Sequence, residues 1–207
     1  MTRELVVATR NRKKGGEMTA ILSELLGPSW TIRTLSDFPS FVEPEETGAT
    51  YAENAKIKAE AACRALNKAC IADDAGLEID ALNGEPGLRS KRFGGEDLPF
   101  AEKIRTLLER MEDAPERKRT ARFRCAVAVA SPGETIRVFE SVCEGRITRE
   151  PAGTAGFGYD PIFVVPELGR TFAELEPAQK NRISHRGMVL RRAAEWLKGS
   201  FGGFCRQ

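Results

Sequence analysis

Cysteine is sparse and scattered in this chain. Cys63, Cys70, Cys125, Cys143 and Cys205 stand singly, an odd number with no CxxC pair. That usage argues against a zinc ribbon or a secreted disulfide framework and for reduced thiols in a cytosol. No apolar run approaches the ~20 residues needed to cross a bilayer, and the N-terminus opens straight into a charged residue and a short strand, with no leader pattern. No excess of one charge is present either. The 32 lysines and arginines stand against 30 acidic residues and leave a formal charge of +2, which argues against a nucleic-acid binder on charge alone. No internal repeat, low-complexity segment or break in composition divides the chain. What is there is ordinary for a globular protein: 41% hydrophobic and 30% charged residues over 207 positions, enough for one large domain or two small lobes. A soluble cytoplasmic domain without a membrane partner is the expectation.

Hydrophobic spacing gives the elements. Residues 4–8 (ELVVA) are a short apolar run of strand length, followed by TRNRKKGGE and then MTAILSELLG, whose Met18, Ile21, Leu22 and Leu25 have helical spacing up to Gly27-Pro28. Residues 30–35 alternate like a strand, and the acidic, Pro-containing stretch 38–48 reads as a loop. Thr50 and Glu53 have the spacing of a capping box, and Ala55, Ala59, Ala62 and Leu66 line one face of the helix it opens. Asn54 and Lys58 share a neighbouring face. Residues 69–73 and 77–82 read as two short strands, separated by the turn-like Asp73-Asp74-Ala75-Gly76. A helix begins near Pro99, with Ile104, Leu107, Leu108 and Met111 as its stripe. Strand period then returns over 121–129 and 135–148 around the turn Ser131-Pro132-Gly133-Glu134, the pattern of a long hairpin. A Gly-rich loop, a short strand (IFVVP) and a helix over 186–198 complete the chain. Strands alternating with helices, then a hairpin, predict a mixed-sheet α/β fold.

Five stretches can carry chemistry, and all sit at element ends. In TRNRKKGGE a strand enters a turn and a helix, so backbone N–H groups and the charges of Arg10, Arg12, Lys13 and Lys14 favour an anion there; a solvated basic turn is the other reading. Glu45 and Glu46 precede a helix, as a binding loop or an acidic surface loop. Adjacent Asp73 and Asp74 repel each other unless something positive is near. A hard cation such as Mg²⁺ takes one or two carboxylates plus phosphate oxygens, so Glu46 and Asp74 can share one; a simple turn is the alternative. In GTAGFGYDP, glycines permit close approach of a ligand, and Phe157 or Tyr159 can stack on a base or pack in the core. His185, the only histidine, is by itself more often structural, but Lys180, Ser184 and Arg186 make a donor cluster around it.

Taken in order, ATRNRKKGGE, EETGATYAENAKIKA, ADDAGLEIDALNGEPG, ARFRCAVA, GRITREPAGTAGFGYDPIF, and FAEL followed by KNRISHR resemble the inosine triphosphate pyrophosphatase family over residues 8–186. The resemblance implies an elongated mixed β-sheet flanked by helices, with two lobes around a central cleft. It further implies a single domain over 1–207 and a homodimer. The implied activity is Mg²⁺-dependent hydrolysis of the non-canonical purine nucleotides ITP, dITP and XTP to monophosphate and pyrophosphate. By position, Thr9, Arg10, Asn11, Arg12, Lys13 and Lys14 would grip the phosphates with Lys58, and Lys91 or Arg92 is a further candidate. Glu46 and Asp74 would hold the metal, with Asp74 the proton acceptor, and Ala75 would lie on the substrate side. Phe157, Gly158, Tyr159 and Asp160 would form one side of a base pocket that Lys180, His185 and Arg186 complete. Two positions depart from the family pattern: Arg10 stands where Gly is usual, and Ala75 where most bacterial members have Ser. Other readings are a nucleotide sensor with little turnover, a related pyrophosphatase acting on other modified nucleotides, and a nucleic-acid module using the basic loops.

Overall fold

The computed structural model of this protein describes residues 2–202; Cys205 and the end of the tail lie outside them. Strand β1 (Arg3–Val7) buries Leu5, Val6 and Val7. Helix α1 (Arg12–Leu26) begins at Arg12, six residues before the first residue of the apolar stripe, so the helix expected after the turn takes in most of RKKGGE. The reason is the cap. Asn11 is extended, and its side-chain oxygen accepts the N–H groups of Lys13 and Lys14. Such a cap is worth ~1 kcal/mol and offsets part of the helix cost of Gly15 and Gly16. Met18, Ile21 and Leu22 face the core as predicted.

Strand β2 (Trp30–Thr34) pairs in parallel with β1, and an irregular segment then leads to α2 (Tyr51–Leu66). Thr50 caps α2 by accepting the Glu53 N–H at 3.1 Å, whereas the Glu53 carboxylate takes the N–H of Ala49 rather than closing the predicted box. Strand β3 (Cys70–Ile79) runs without interruption through Asp73, Asp74, Ala75 and Gly76. This corrects the expectation of two strands and a turn, and residues 80–82 form a short 3-10 turn instead. A turn would have let water solvate both carboxylates; here buried cations do so.

Helix α3 (Phe100–Arg110) is followed by β4 (Thr120–Ala130) and β5 (Arg137–Ile147), then β6 (Phe163–Val165), β7 (Arg170–Thr171), α4 (Pro177–Ile183) and α5 (His185–Gly202). The strands form one seven-stranded sheet in the order β2-β1-β3-β4-β5-β6-β7. It is mixed, as expected, since β1 is parallel to β2 and β3 whereas β6 is antiparallel to β5 and β7. Sequence reading missed α4 and β7: the first has seven residues without an apolar stripe, the second only two residues.

The chain divides into two compact units. The first comprises residues up to Asp74, Cys125–Ser141 and the chain from Arg186; the second comprises Ala75–Arg124 and Val142–His185. In the first, Leu5, Met18, Ala59, Ile71, Val127 and Leu190 are core residues. In the second, the ring of Phe123 lies 4.6 Å from Phe163 and 5.9 Å from Phe172, centroid to centroid, an aromatic core of the kind that adds to area burial. Buried Arg119 of this unit donates to the carbonyls of Met111, Ile147 and Thr148 at 2.8, 3.0 and 2.7 Å.

Replacing Arg119 by Met should cost about 2–4 kcal/mol in urea unfolding, because three carbonyls lose a charged donor and stay buried. Burial also pushes the thiols of Cys70 and Cys125 up to about 12 and that of Cys143 to about 11. All three therefore stay protonated and unreactive at mildly alkaline pH. Mass-spectrometric alkylation mapping should find them unmodified in native protein and modified once urea is added.

Candidate active site

Consecutive residues of a strand point to opposite faces. Asp73 and Asp74 therefore leave β3 in opposite directions, and each meets its own partners. The Asp73 side chain is fully buried. Its Oδ2 accepts Nε and Nη2 of Arg186, from the first turn of α5, at 3.0 and 2.9 Å. Its Oδ1 lies 3.4 Å from the Lys14 Nζ of α1. Glu17, one turn beyond Lys14, accepts Arg186 Nη1 at 2.5 Å. Burial alone would raise the Asp73 pKa, but Lys14, Arg186 and Lys58 hold it well below the usual carboxylate range.

Asp74 meets α2. Its Oδ2 accepts the Nδ2 of Asn54 at 3.0 Å, and its Oδ1 lies 3.8 Å from Lys58 Nζ. The same ammonium donates to Glu46 Oε1 at 2.6 Å. The structure thus brings Glu46, Lys58 and Asp74 together. Burial raises the pKa of Asp74 against the pull of Lys58 and Lys14, and Glu46 raises it further. For Lys58, burial opposes the charge, yet Asp74, Asp73 and Glu46 outweigh it and raise its pKa. Asn54 also receives the N–H of Gly48 at 2.8 Å. A Cβ on Gly48 would lie 2.7 Å from Asn54 Oδ1, so only glycine allows that approach.

The basic stretch is split by the fold. Thr9 Oγ1 accepts the Asn11 N–H at 3.2 Å, and Asn11 in turn uses two of the helix's first N–H groups. Arg12 and Lys13 are exposed in the first turn of α1. Arg10 does not point with them. Its guanidinium donates to main-chain carbonyls of residues 35–41.

In the second unit, Asp160 Oδ2 accepts both Lys180 Nζ, at 2.7 Å, and the N–H of Phe157, at 2.8 Å. Lys180 Nζ sits 4.8 Å from the centroid of the half-buried Phe157 ring. Gly156, with φ of 73°, keeps this turn open, since a Cβ there would fall 2.2 Å from Asp160 Oδ2. Tyr159 is buried. Its hydroxyl donates to the Ser90 carbonyl at 3.0 Å, its ring meets Phe100 edge-on, and burial pushes the phenol pKa up. His185 is buried and stacked on Phe123 at 4.6 Å. Gly158 is half-buried beside Tyr159, and Ala75 is half-exposed on β3. Lys91 and Arg92 are exposed, with the Lys91 carbonyl taken by buried Lys103. Arg186 belongs to the first unit, where Asp73 and Glu17 occupy its guanidinium.

A family profile described as the Ham1 family matches residues 5–196. The chain belongs to the Ham1 family. The dITP/XTP pyrophosphatase of Geobacillus kaustophilus is 46% identical over 201 residues, which cover 97% of this chain and 97% of that protein. The dITP/XTP pyrophosphatase of Desulforamulus reducens is 48% identical over 195 residues, covering 94% and 95%. Among solved structures, a HAM1 protein from Coxiella burnetii matches with a TM-score of 0.85 at 41% identity, over 96% of this chain and all (100%) of that one. The Staphylococcus aureus Ham1 protein matches with a TM-score of 0.83 at 40% identity, over 96% and 100%.

Within this Ham1 chain, no group of three or more His, Cys, Asp or Glu side chains that could hold a metal is present among the described residues. Two carboxylates, Glu46 and Asp74, do converge on one cation, and that number suits magnesium, which fills its remaining positions with phosphate oxygens and water. The residues therefore fit the metal. Sequence reading placed Asn54 on the correct face without giving it a task and missed the ion-pair role of Glu17. The signals were the i,i+4 spacing of Asn54 and Lys58 and the i,i+3 spacing of Lys14 and Glu17.

Asp73→Asn should destabilise the protein by ~3–5 kcal/mol, because it leaves the buried charges of Lys14 and Arg186 short of a counterion. Chemical denaturation followed by circular dichroism measures it.

Proposed function

We propose that this chain is a nucleoside triphosphate pyrophosphatase that hydrolyses the non-canonical purine nucleotides dITP, ITP and XTP to the monophosphate and pyrophosphate. The observation that carries the reading is Asp74 itself. It is a buried carboxylate with a raised pKa, oriented by Asn54 and facing Lys58 together with Glu46. Near-full-length similarity to proteins named dITP/XTP pyrophosphatase supports it.

Phosphoryl transfer to water asks a protein for positioning and charge neutralisation more than for a covalent nucleophile. Asp74 accepts the proton of the attacking water as oxygen bonds to phosphorus, the bridge between the α- and β-phosphates breaks, and pyrophosphate leaves. A raised carboxylate pKa suits that task, since a base works best when its pKa approaches the working pH. Lys14, Lys58 and the exposed Arg12 and Lys13 stabilise the phosphate charge, with Thr9 and Asn11 shaping the loop. Glu46 and Asp74 would hold Mg²⁺. When bound, the ion supplies Lewis-acid neutralisation of the phosphate oxygens.

The base falls to the second unit's cluster. Phe157 offers a ring face for stacking, Gly158 leaves room beside it, and Lys180, oriented by Asp160, offers a donor. A 6-oxo purine presents an acceptor to that ammonium, where adenine would present an amino donor. His185, stacked on Phe123, completes the proposed base-binding set. Arg186 acts on the phosphate side by holding Asp73. The reading extends to a single domain of two lobes, a homodimer and a cytoplasmic location; among the described residues no helix is long and apolar enough to cross a membrane.

Pyrophosphate release with Mg²⁺ should show kcat/KM for ITP and XTP well above that for ATP, since sites built around a buried hydrogen bond reject the mismatched analogue by up to ~10⁴-fold. Asp74→Asn should lower kcat by ~10²–10⁴-fold while nucleotide binding persists. Equal rates on all purines, or an active Asp74→Asn enzyme, would remove this reading.

A further inference from the structure

We infer that Arg10 is a positioning residue: it ties the irregular segment that carries Glu46 to the basic loop ahead of α1, so that the metal-holding pair is in register before a nucleotide arrives. The inference rests on the proposed function for its kinetic consequence, but not for the tie itself.

Residues 38–49 form no helix or strand. Their apolar packing is thin. Phe41 is buried, whereas its neighbour Val42 is 84% exposed. Arg10 supplies what packing does not. Its Nη1 donates to the Leu35 carbonyl at 3.0 Å, and its Nη2 reaches the carbonyls of Phe38 and Pro39 at 3.1 and 3.2 Å and that of Phe41. Its backbone N–H donates to Glu43 Oε1 at 3.0 Å. A guanidinium is suited to this because it is planar, always charged and offers five donors in a fixed fork, whereas an ammonium is a single point of charge. The contacts run from residue 35 to residue 43, and Glu46 follows three residues later, with its carboxylate on Lys58 at 2.6 Å.

The next residue, Asn11, caps α1. One dipeptide therefore fixes both pieces that must meet the triphosphate: Asn11 sets the helix start that presents Lys13 and Lys14, and Arg10 sets the acidic segment. Without that tie, ordering the loop would be charged against metal and substrate binding, as side-chain and loop ordering generally are. A phosphate ligand, by contrast, would leave its guanidinium free of main-chain partners and would act through the nucleotide KM.

Hydrogen–deuterium exchange of the substrate-free protein separates these roles. In both Arg10→Met and Arg10→Lys, amides of residues 38–47 should exchange faster, while those of β3 stay at wild-type protection and report an intact fold. Kinetically, the Mg²⁺ concentration for half-maximal rate should rise by ~10–100-fold, as for loss of a residue that orients a metal ligand, with the nucleotide KM at saturating Mg²⁺ changed much less. Unchanged exchange over 38–47, exchange raised equally throughout β3, or full rescue by Arg10→Lys would overturn the inference. A wild-type protein without pyrophosphatase activity would sink the functional reading alone, because the exchange measurement still decides the tie.

Discussion

Two neighbouring carboxylates on a buried strand are the constraint around which the first unit is organised. Asp73 and Asp74 can both stay in β3 because the pleat gives each its own hydrogen-bond partners, Arg186 and Asn54, while the charges of Lys14 and Lys58 act on both. On one face, α1 and α5 contribute Lys14 and Arg186, and Glu17 balances the guanidinium. On the other, α2 contributes Asn54 and Lys58, and the loop before it contributes Glu46. The first arrangement matches two cations with two carboxylates, with Asp73 fully buried and Lys14 still 20% exposed. The second keeps a carboxylate with a raised pKa beside a second carboxylate. The two adjacent aspartates thus sit in different electrostatic surroundings, set by the charged and polar groups that each meets.

A second physical theme is the use of cations to hold main-chain carbonyls. Arg10 does it for residues 35–41, Lys103 for the carbonyls of Lys91 and Gly95, and Arg119 for those of Met111, Ile147 and Thr148. Most of these carbonyls lie in loops, turns or at element ends, where they would otherwise go unsatisfied. Charge-assisted hydrogen bonds are the stronger kind, so a single side chain can order several loop residues.

Much of the fold was legible from periodicity. The stripes of α1, α2, α3 and α5 follow from which side chains are apolar and are largely buried, whereas β4 alternates only as far as Cys125, beyond which it is buried throughout, and β5 alternates only over its last five residues. Errors fell where a local rule competed with a tertiary one. The apolar stripe marked α1 only from Met18 although Asn11 caps it at Arg12, and Asp73-Asp74-Ala75-Gly76 argued for a turn that distant cations made unnecessary. Tyr159 shows the same thing in the second unit. A glycine-rich loop offers an aromatic ring equally to a ligand or to the core, and the Ser90 carbonyl and Phe100 decided for the core.

The sequence by itself determined the α/β class, the helix faces and the inventory of charged groups, because side-chain period and charge are properties of the chain alone. It also carried the family, since the motifs lie in unbroken runs. Which charges meet was decided only by the tertiary structure. Glu46, Lys58 and Asp74 converge, Asp73 closes with Lys14 and Arg186, and Arg10 turns away to the loop carbonyls across separations of 12 to 113 residues. No local pattern encodes such pairings, because an ion pair's energy depends on distance and burial in the folded state, and both are absent from the linear chain.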